Sequence, residues 1–174
     1  MRAPMGGNMR AAAVAWCCVA VLLCASAARA EDAWVALVGA GAFDLPLPTD
    51  DEDIAPAYAL ELRMKPGLWH FHPHVGFQGT TDGMVYGFTG VHLDYPIGDH
   101  VRVVPSGSIG LYNNGGNGKD LTGLMEFRIG GGLAWRFDNG MRAGVVWYHM
   151  SNAGTANENP GAEMMFLEFG YAFP

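Results

Sequence analysis

The stretch "WYHMSNAG", residues 147–154, sets an imidazole and a hydroxyl two positions apart, His149 and Ser151, in a run that otherwise alternates like a β-strand. Side chains at i and i+2 of a strand share one face. Val145 and Trp147 lie on that face too, so a polar pair interrupts an apolar stripe. Glu163 follows twelve residues after Ser151, at the start of the last run of the chain. Antiparallel pairing of the two runs could set His149 directly across from Glu163. An imidazole between a hydroxyl and a carboxylate is the nucleophile, base and orienter set of serine-type hydrolysis.

Those three residues need a sheet to position them. Alternation and turn signals give eight candidate strands, at roughly 33–43, 54–65, 68–79, 83–95, 100–112, 122–137, 140–151 and 162–173. "KPG", "PIGD" and "DNG" read as tight turns after the second, fourth and sixth strands. The other four connections read as longer and polar, among them "DLPLPTDDEDIAP", "NNGGNGKD" and "NAGTANENP". Short turns at one end and long loops at the other characterise an outer-membrane β-barrel.

The two faces separate a membrane barrel from a soluble one. On the sixth candidate strand Met125, Phe127, Ile129, Leu133, Trp135 and Phe137 oppose Glu126, Arg128, Gly130, Gly132, Ala134 and Arg136. The third sets Trp69, Phe71, Val75 and Phe77 against His70, His72, His74 and Gln78. A lipocalin-like barrel would turn the apolar face inward, but the polar face is too rich in Gly and Ala to coat a soluble exterior. Small residues suit the crowded lumen of a narrow barrel. Tyr95, Trp135, Phe137, Tyr171 and Phe173 lie near strand ends, as in an aromatic girdle. The fold class expected is all-β, an eight-stranded antiparallel transmembrane β-barrel.

The N-terminal segment agrees. Arg2 and Arg10 flank a positive start, residues 11–25 are apolar, and "ARA" at Ala28–Ala30 has the small-x-small form of a cleavage site. Residues 1–30 are expected to be a cleaved signal peptide and 31–174 the barrel. An uncleaved anchor is the competing reading, but the apolar run falls short of the ~20 residues of a spanning helix. Cys17, Cys18 and Cys24 all lie in this segment, so the barrel would carry no disulfide, thiol or zinc-thiolate chemistry. Residues 31–174 keep all seventeen acidic residues and seven of the ten basic ones. That balance, with no basic patch, argues against nucleic acid.

On a lipid-facing surface a charge is costly, up to ~2–4 kcal/mol for a basic residue at the midplane and less for a carboxylate or near the interface. His149, Ser151 and Glu163 all fall in outward sets, clustered at the long-loop end. Interfacial solvation explains any one of them; three complementary groups on one patch point to chemistry. Other signals carry less. His70, His72 and His74 in "HFHPH" could share a metal, yet they fall on the lumen face, where pairing with Glu61, His92 or Asp94 is expected instead. The acidic loop Thr49–Pro56 lacks the glycine and final glutamate of an EF-hand. The "GNG" and "GGG" stretches lack the helix that phosphate-cradling loops use.

"YHMSNAG" followed by "NPGAE" resembles the signature of the PagL family of outer-membrane lipid A 3-O-deacylases: a His-x-Ser-Asn group on the penultimate strand and a Glu on the last. The resemblance implies Ser151 as nucleophile, His149 as general base and Glu163 as orienter. It also implies an oxyanion hole from Asn152 and the backbone N–H of Gly154. It further implies lipid A or lipopolysaccharide as substrate among outer-membrane lipids, hydrolysis of the 3-O-linked 3-hydroxyacyl ester, and no metal or organic cofactor. A homodimer is compatible with it. Beyond the last two strands the likeness is architectural. Two other functions compete: a non-catalytic barrel for adhesion or envelope structure, and a phospholipase-type acyl hydrolase with the same triad.

Overall fold

The computed structural model describes residues 33–45, 54–67 and 71–173. The segment read as a signal peptide, most of the acidic 49–56 loop, and His70 lie outside the described residues. The strands are β1 (Trp34–Phe43), β2 (Ala55–Arg63), β3 (His72–Thr80), β4 (Val85–His92), β5 (Tyr95–Ile97), β6 (Val101–Asn113), β7 (Met125–Arg136), β8 (Met141–Ser151) and β9 (Ala162–Phe173). Each of β1 to β3 pairs antiparallel with the next. β4 pairs with β6, the series runs on to β9, and β9 returns to β1, so the sheet closes on itself. Closure leaves no unpaired edge to water or lipid.

The nine segments make eight strands, because β4 and β5 are one strand in a single register. His92 faces Ser106 and Tyr95 faces Val103 in the same ladder. The break falls opposite Pro105, which accepts the Leu93 N–H at 3.0 Å but has no N–H to return. The expected strands therefore recur within a few residues of their predicted ends. One connection departs from expectation. The link between β3 and β4 is a short turn, 81–84, rather than a long polar loop. It is closed by the Gly83 N–H on the Thr80 carbonyl and by the Met84 N–H on Thr80 Oγ1, so the long-loop end carries three long connections and one tight one.

The faces follow the period of two. Leu60, Leu111, Ile129, Leu133, Leu167 and Phe169 are exposed outward, while charged and small residues fill the lumen. In the lumen Arg63 donates to Glu61 at 2.7 Å and to Glu168 at 3.0 Å. Arg128 lies 3.8 Å over the Phe88 ring and reaches Glu61 and Ser108. Nearer the long loops the lumen turns apolar, where Phe43, Met84, Tyr86, Tyr112, Leu121, Met150, Met164 and Phe166 pack together. Charges paired inside and hydrocarbon outside is the arrangement a bilayer demands, since water is available only at the rims.

Candidate active site

β8 and β9 pair in the register that opposes His149 to Glu163. Both residues project outward, because the buried positions Tyr148, Met150, Ala162 and Met164 alternate with them. His149 Nδ1 lies 2.6 Å from Glu163 Oε1. A carboxylate oxygen at that distance accepts, so Nδ1 carries the proton and Nε2 is left as the basic nitrogen. The His149 side chain is 46% exposed and that of Glu163 12%, so the base is accessible while its partner is sheltered.

Glu163 is held from a second side. The indole Nε1–H of Trp147 donates to its other oxygen, Oε2, at 2.6 Å. Sequence reading assigned Trp147 to the apolar stripe alone; its position two residues before His149 on the same face was the available signal. Gly161 is another residue that sequence reading passed over. Its φ is +67°, and a Cβ built there would stand 3.0 Å from His149 Cε1. Only glycine takes that conformation freely and leaves the imidazole its space.

Ser151 ends β8 on the same outward face, half-buried, and opposes Phe127 of β7. No hydrogen bond joins its Oγ to His149 among the described residues. Beyond it, Asn152, Ala153, Gly154 and Thr155 form a tight turn with positive φ at both central residues, 54° and 77°. The turn is closed by the Thr155 N–H on the Asn152 carbonyl at 3.1 Å. Positive φ at both central positions is the type I′ form.

Asn152 is fully buried. Its Nδ2 donates to the Leu121 carbonyl (3.1 Å), the Glu158 carbonyl (2.7 Å) and Thr122 Oγ1 (3.2 Å), and its Oδ1 accepts the Gly154 N–H at 2.9 Å. The side chain thus ties the end of β8 to the β6–β7 and β8–β9 loops. In this arrangement both donors expected at an oxyanion hole are engaged within the loops. Asn159 accepts the Asn152 N–H through Oδ1 at 3.1 Å, which fixes its amide beside the turn.

Of the histidines expected in the lumen, His72 and His74 pair as expected, and His70 lies outside the described residues. His74 Nδ1 lies 3.6 Å from Glu61 and 3.4 Å from His92 Nδ1, its Nε2 meets Ser108 Oγ at 2.9 Å, and His72 stacks on His92. Glu61, His74 and His92 bring three potential ligand atoms within 4.8 Å of one another. Both Glu61 oxygens, however, already accept from Arg63 and Arg128, whose positive charges oppose a cation there. The cluster is better matched to ion pairing than to metal binding.

An eight-stranded barrel with an apolar outer face and a histidine–carboxylate pair turned outward at the rim defines an outer-membrane enzyme that works on lipid. Residues 57–172 match the family described as lipid A 3-O-deacylase (PagL), and the chain belongs to that family. It is an outer-membrane lipid A deacylase by that membership. Two solved structures share the fold. One is the outer-membrane enzyme PagL, at 19% identity and TM-score 0.54, covering 79% of this chain and 98% of that one. The other is a de novo designed transmembrane β-barrel, at 12% identity and TM-score 0.53, covering 82% and 97%. No curated protein matches the chain significantly.

Proposed function

We propose that the chain removes the 3-O-linked 3-hydroxyacyl group of lipid A in the outer leaflet by serine-type ester hydrolysis, with Ser151 as nucleophile. The observation that carries this reading is the His149–Glu163 pair, set 2.6 Å apart on the lipid-facing side of the barrel. A solvated rim would not need an imidazole with one nitrogen committed to a carboxylate and the other open. Ser151 follows His149 at the next position on that face, roughly 6.6 Å along the strand by backbone rise, a span the ring and the serine side chain can bridge.

In this mechanism Nε2 of His149 takes the Ser151 Oγ proton as Oγ attacks the ester carbonyl. The proton then passes to the departing sugar oxygen. Water, deprotonated by the same nitrogen, adds to the acyl-serine and releases the fatty acid. Glu163 keeps the Nδ1 proton in place and stabilises the imidazolium that forms at each stage. The oxyanion is assigned to Gly154 N–H and Asn152. Gly154 would exchange Asn152 Oδ1 for the substrate oxygen, and Asn152 would turn its Nδ2 from the loop carbonyls. Residues 1–30 serve as the export signal in this reading.

The deciding experiment is mass spectrometry of lipid A and phospholipids from Gram-negative cells expressing the wild-type chain or Ser151→Ala. Loss of one 3-hydroxyacyl mass from lipid A with the wild type alone supports the reading. Phospholipid breakdown with intact lipid A would move the substrate to glycerophospholipids, and activity in the Ser151→Ala protein would overturn the mechanism.

A further inference from the structure

Glu163 does not hold His149 by itself. Its carboxylate makes two side-chain hydrogen bonds, one from each neighbour on β8: His149 Nδ1 at Oε1 and Trp147 Nε1 at Oε2, both 2.6 Å. Trp147 sits opposite Met165 in the ladder, diagonal to Glu163 and within the reach of a large aromatic across a strand pair. The last torsion of a glutamate is broad and nearly two-fold. One bond from the imidazole leaves the carboxylate free to turn about it, and a second bond to the other oxygen selects one orientation.

The choice of an indole at this place is informative. Indole donates and cannot accept, so the bond has only one sense and demands an oxygen acceptor. Trp147 is 43% exposed on the lipid face, one pleat closer to the middle of the barrel than His149. An indole N–H left unpaired in hydrocarbon is unfavourable, and interfacial tryptophans ordinarily satisfy it among headgroups. Here the N–H is directed along the sheet into the site. Among the described residues no Lys or Arg contacts Glu163, so neutral and histidine donors alone fix it.

We propose that Trp147 is a positioning residue of the deacylase, its indole N–H locking the Glu163 carboxylate in the orientation that holds His149 for proton transfer. This rests on the Ser151–His149–Glu163 reading above. The lock acts on a group that never touches substrate, so it affects turnover rather than lipid A binding.

The test uses the full-length barrel purified from membranes, with assembly checked by heat-shifted gel mobility. Trp147→Phe keeps an aromatic ring on the lipid face and removes the N–H together with the second ring. It should lower kcat for lipid A deacylation about 10-fold, the effect of losing one hydrogen bond to a charged group, with KM within about twofold. The rate at which a small fluorophosphonate labels Ser151 should fall by a similar factor, because that probe reads the activated serine without the lipid A scaffold. Trp147→Leu carries the same expectation and serves if the Phe variant does not assemble. Wild-type kcat and labelling in these variants would overturn the proposal. So would a rise in KM alone, or slower deacylation with unchanged labelling, since either places the indole against substrate. A wild-type chain that the probe does not label at Ser151 would overturn the triad itself, whatever Trp147 does.

Discussion

His149 and Glu163 face each other across the β8–β9 ladder with Nδ1 and Oε1 2.6 Å apart, and Glu168, on the same strand, lies on the other side of the sheet, 3.0 Å from Arg63. Five residues separate the two glutamates, and a period of two sends them to opposite faces.

The two carboxylates should therefore fail in different ways. Glu163→Gln should cut turnover by roughly 10²–10⁴-fold, by comparison with loss of the orienting carboxylate of a serine protease, with barrel melting unchanged. Glu168→Gln should leave turnover per folded molecule intact and lower stability by about 3 kcal/mol, because Arg63 loses a buried partner. Lipid A deacylation per folded protein and heat-shifted mobility, measured on both variants, check this. Catalytic dependence on Glu168 would contradict the outward-facing site.

Gly161→Ala should depress activity without replacing any residue of the proposed triad. The backbone there has φ +67°, and a Cβ would press on His149 Cε1 at 3.0 Å. Left-handed backbone costs a non-glycine residue about 1–2 kcal/mol, and the ring must give way as well. The expected outcome is lower kcat with the barrel still assembled. Unchanged kcat would show that the imbued position of His149 does not depend on this glycine.

Asn152→Ala should loosen the long-loop end. The side chain bridges the Leu121 and Glu158 carbonyls, and its loss leaves the buried Leu121 carbonyl with one partner fewer, at about 1–3 kcal/mol. Faster proteolysis within residues 114–124 and 152–161, with the strands still protected, would be the sign, and deacylation should fall alongside it. Loops as resistant as those of the wild type would show that Asn152 is not their latch.

Exhaustive dialysis against a chelator should leave deacylation and barrel melting unchanged. Glu61 is engaged by two guanidinium groups and His74 by Ser108, so the lumen cluster is complete without an ion. Activity lost to the chelator and restored by zinc or calcium would place a metal among Glu61, His74 and His92.

Much of the fold was legible because a narrow barrel writes its period into the sequence. Alternation of large apolar residues with Gly, Ala and charged residues specified strands, lumen and lipid face, and Pro, Gly and Asn marked the tight turns. The β3–β4 link was misjudged because "TTDGM" is polar like a loop, and the Thr80 hydroxyl that turns it tightly leaves no signature of length. Glu168 pairs with Arg63 of β2, two strands away around the barrel. Which cation reaches across a lumen depends on stagger and closure, which no single strand encodes.

The outward face of β8 and β9 shows the same division. Spacing alone put His149, Ser151 and Glu163 on outward faces of neighbouring strands, since side-chain direction in a strand is set by parity and a ladder register by few choices. Tertiary structure decided what those side chains touch. It gave the second oxygen of Glu163 to Trp147, closed Asn152 and Gly154 into a turn bonded within itself, and set Gly161 against the imidazole ring. Parity is a local property of the backbone, legible residue by residue. Diagonal contacts and loop closures depend on twist, rotamer and the neighbouring strand, and those exist only once the barrel has formed.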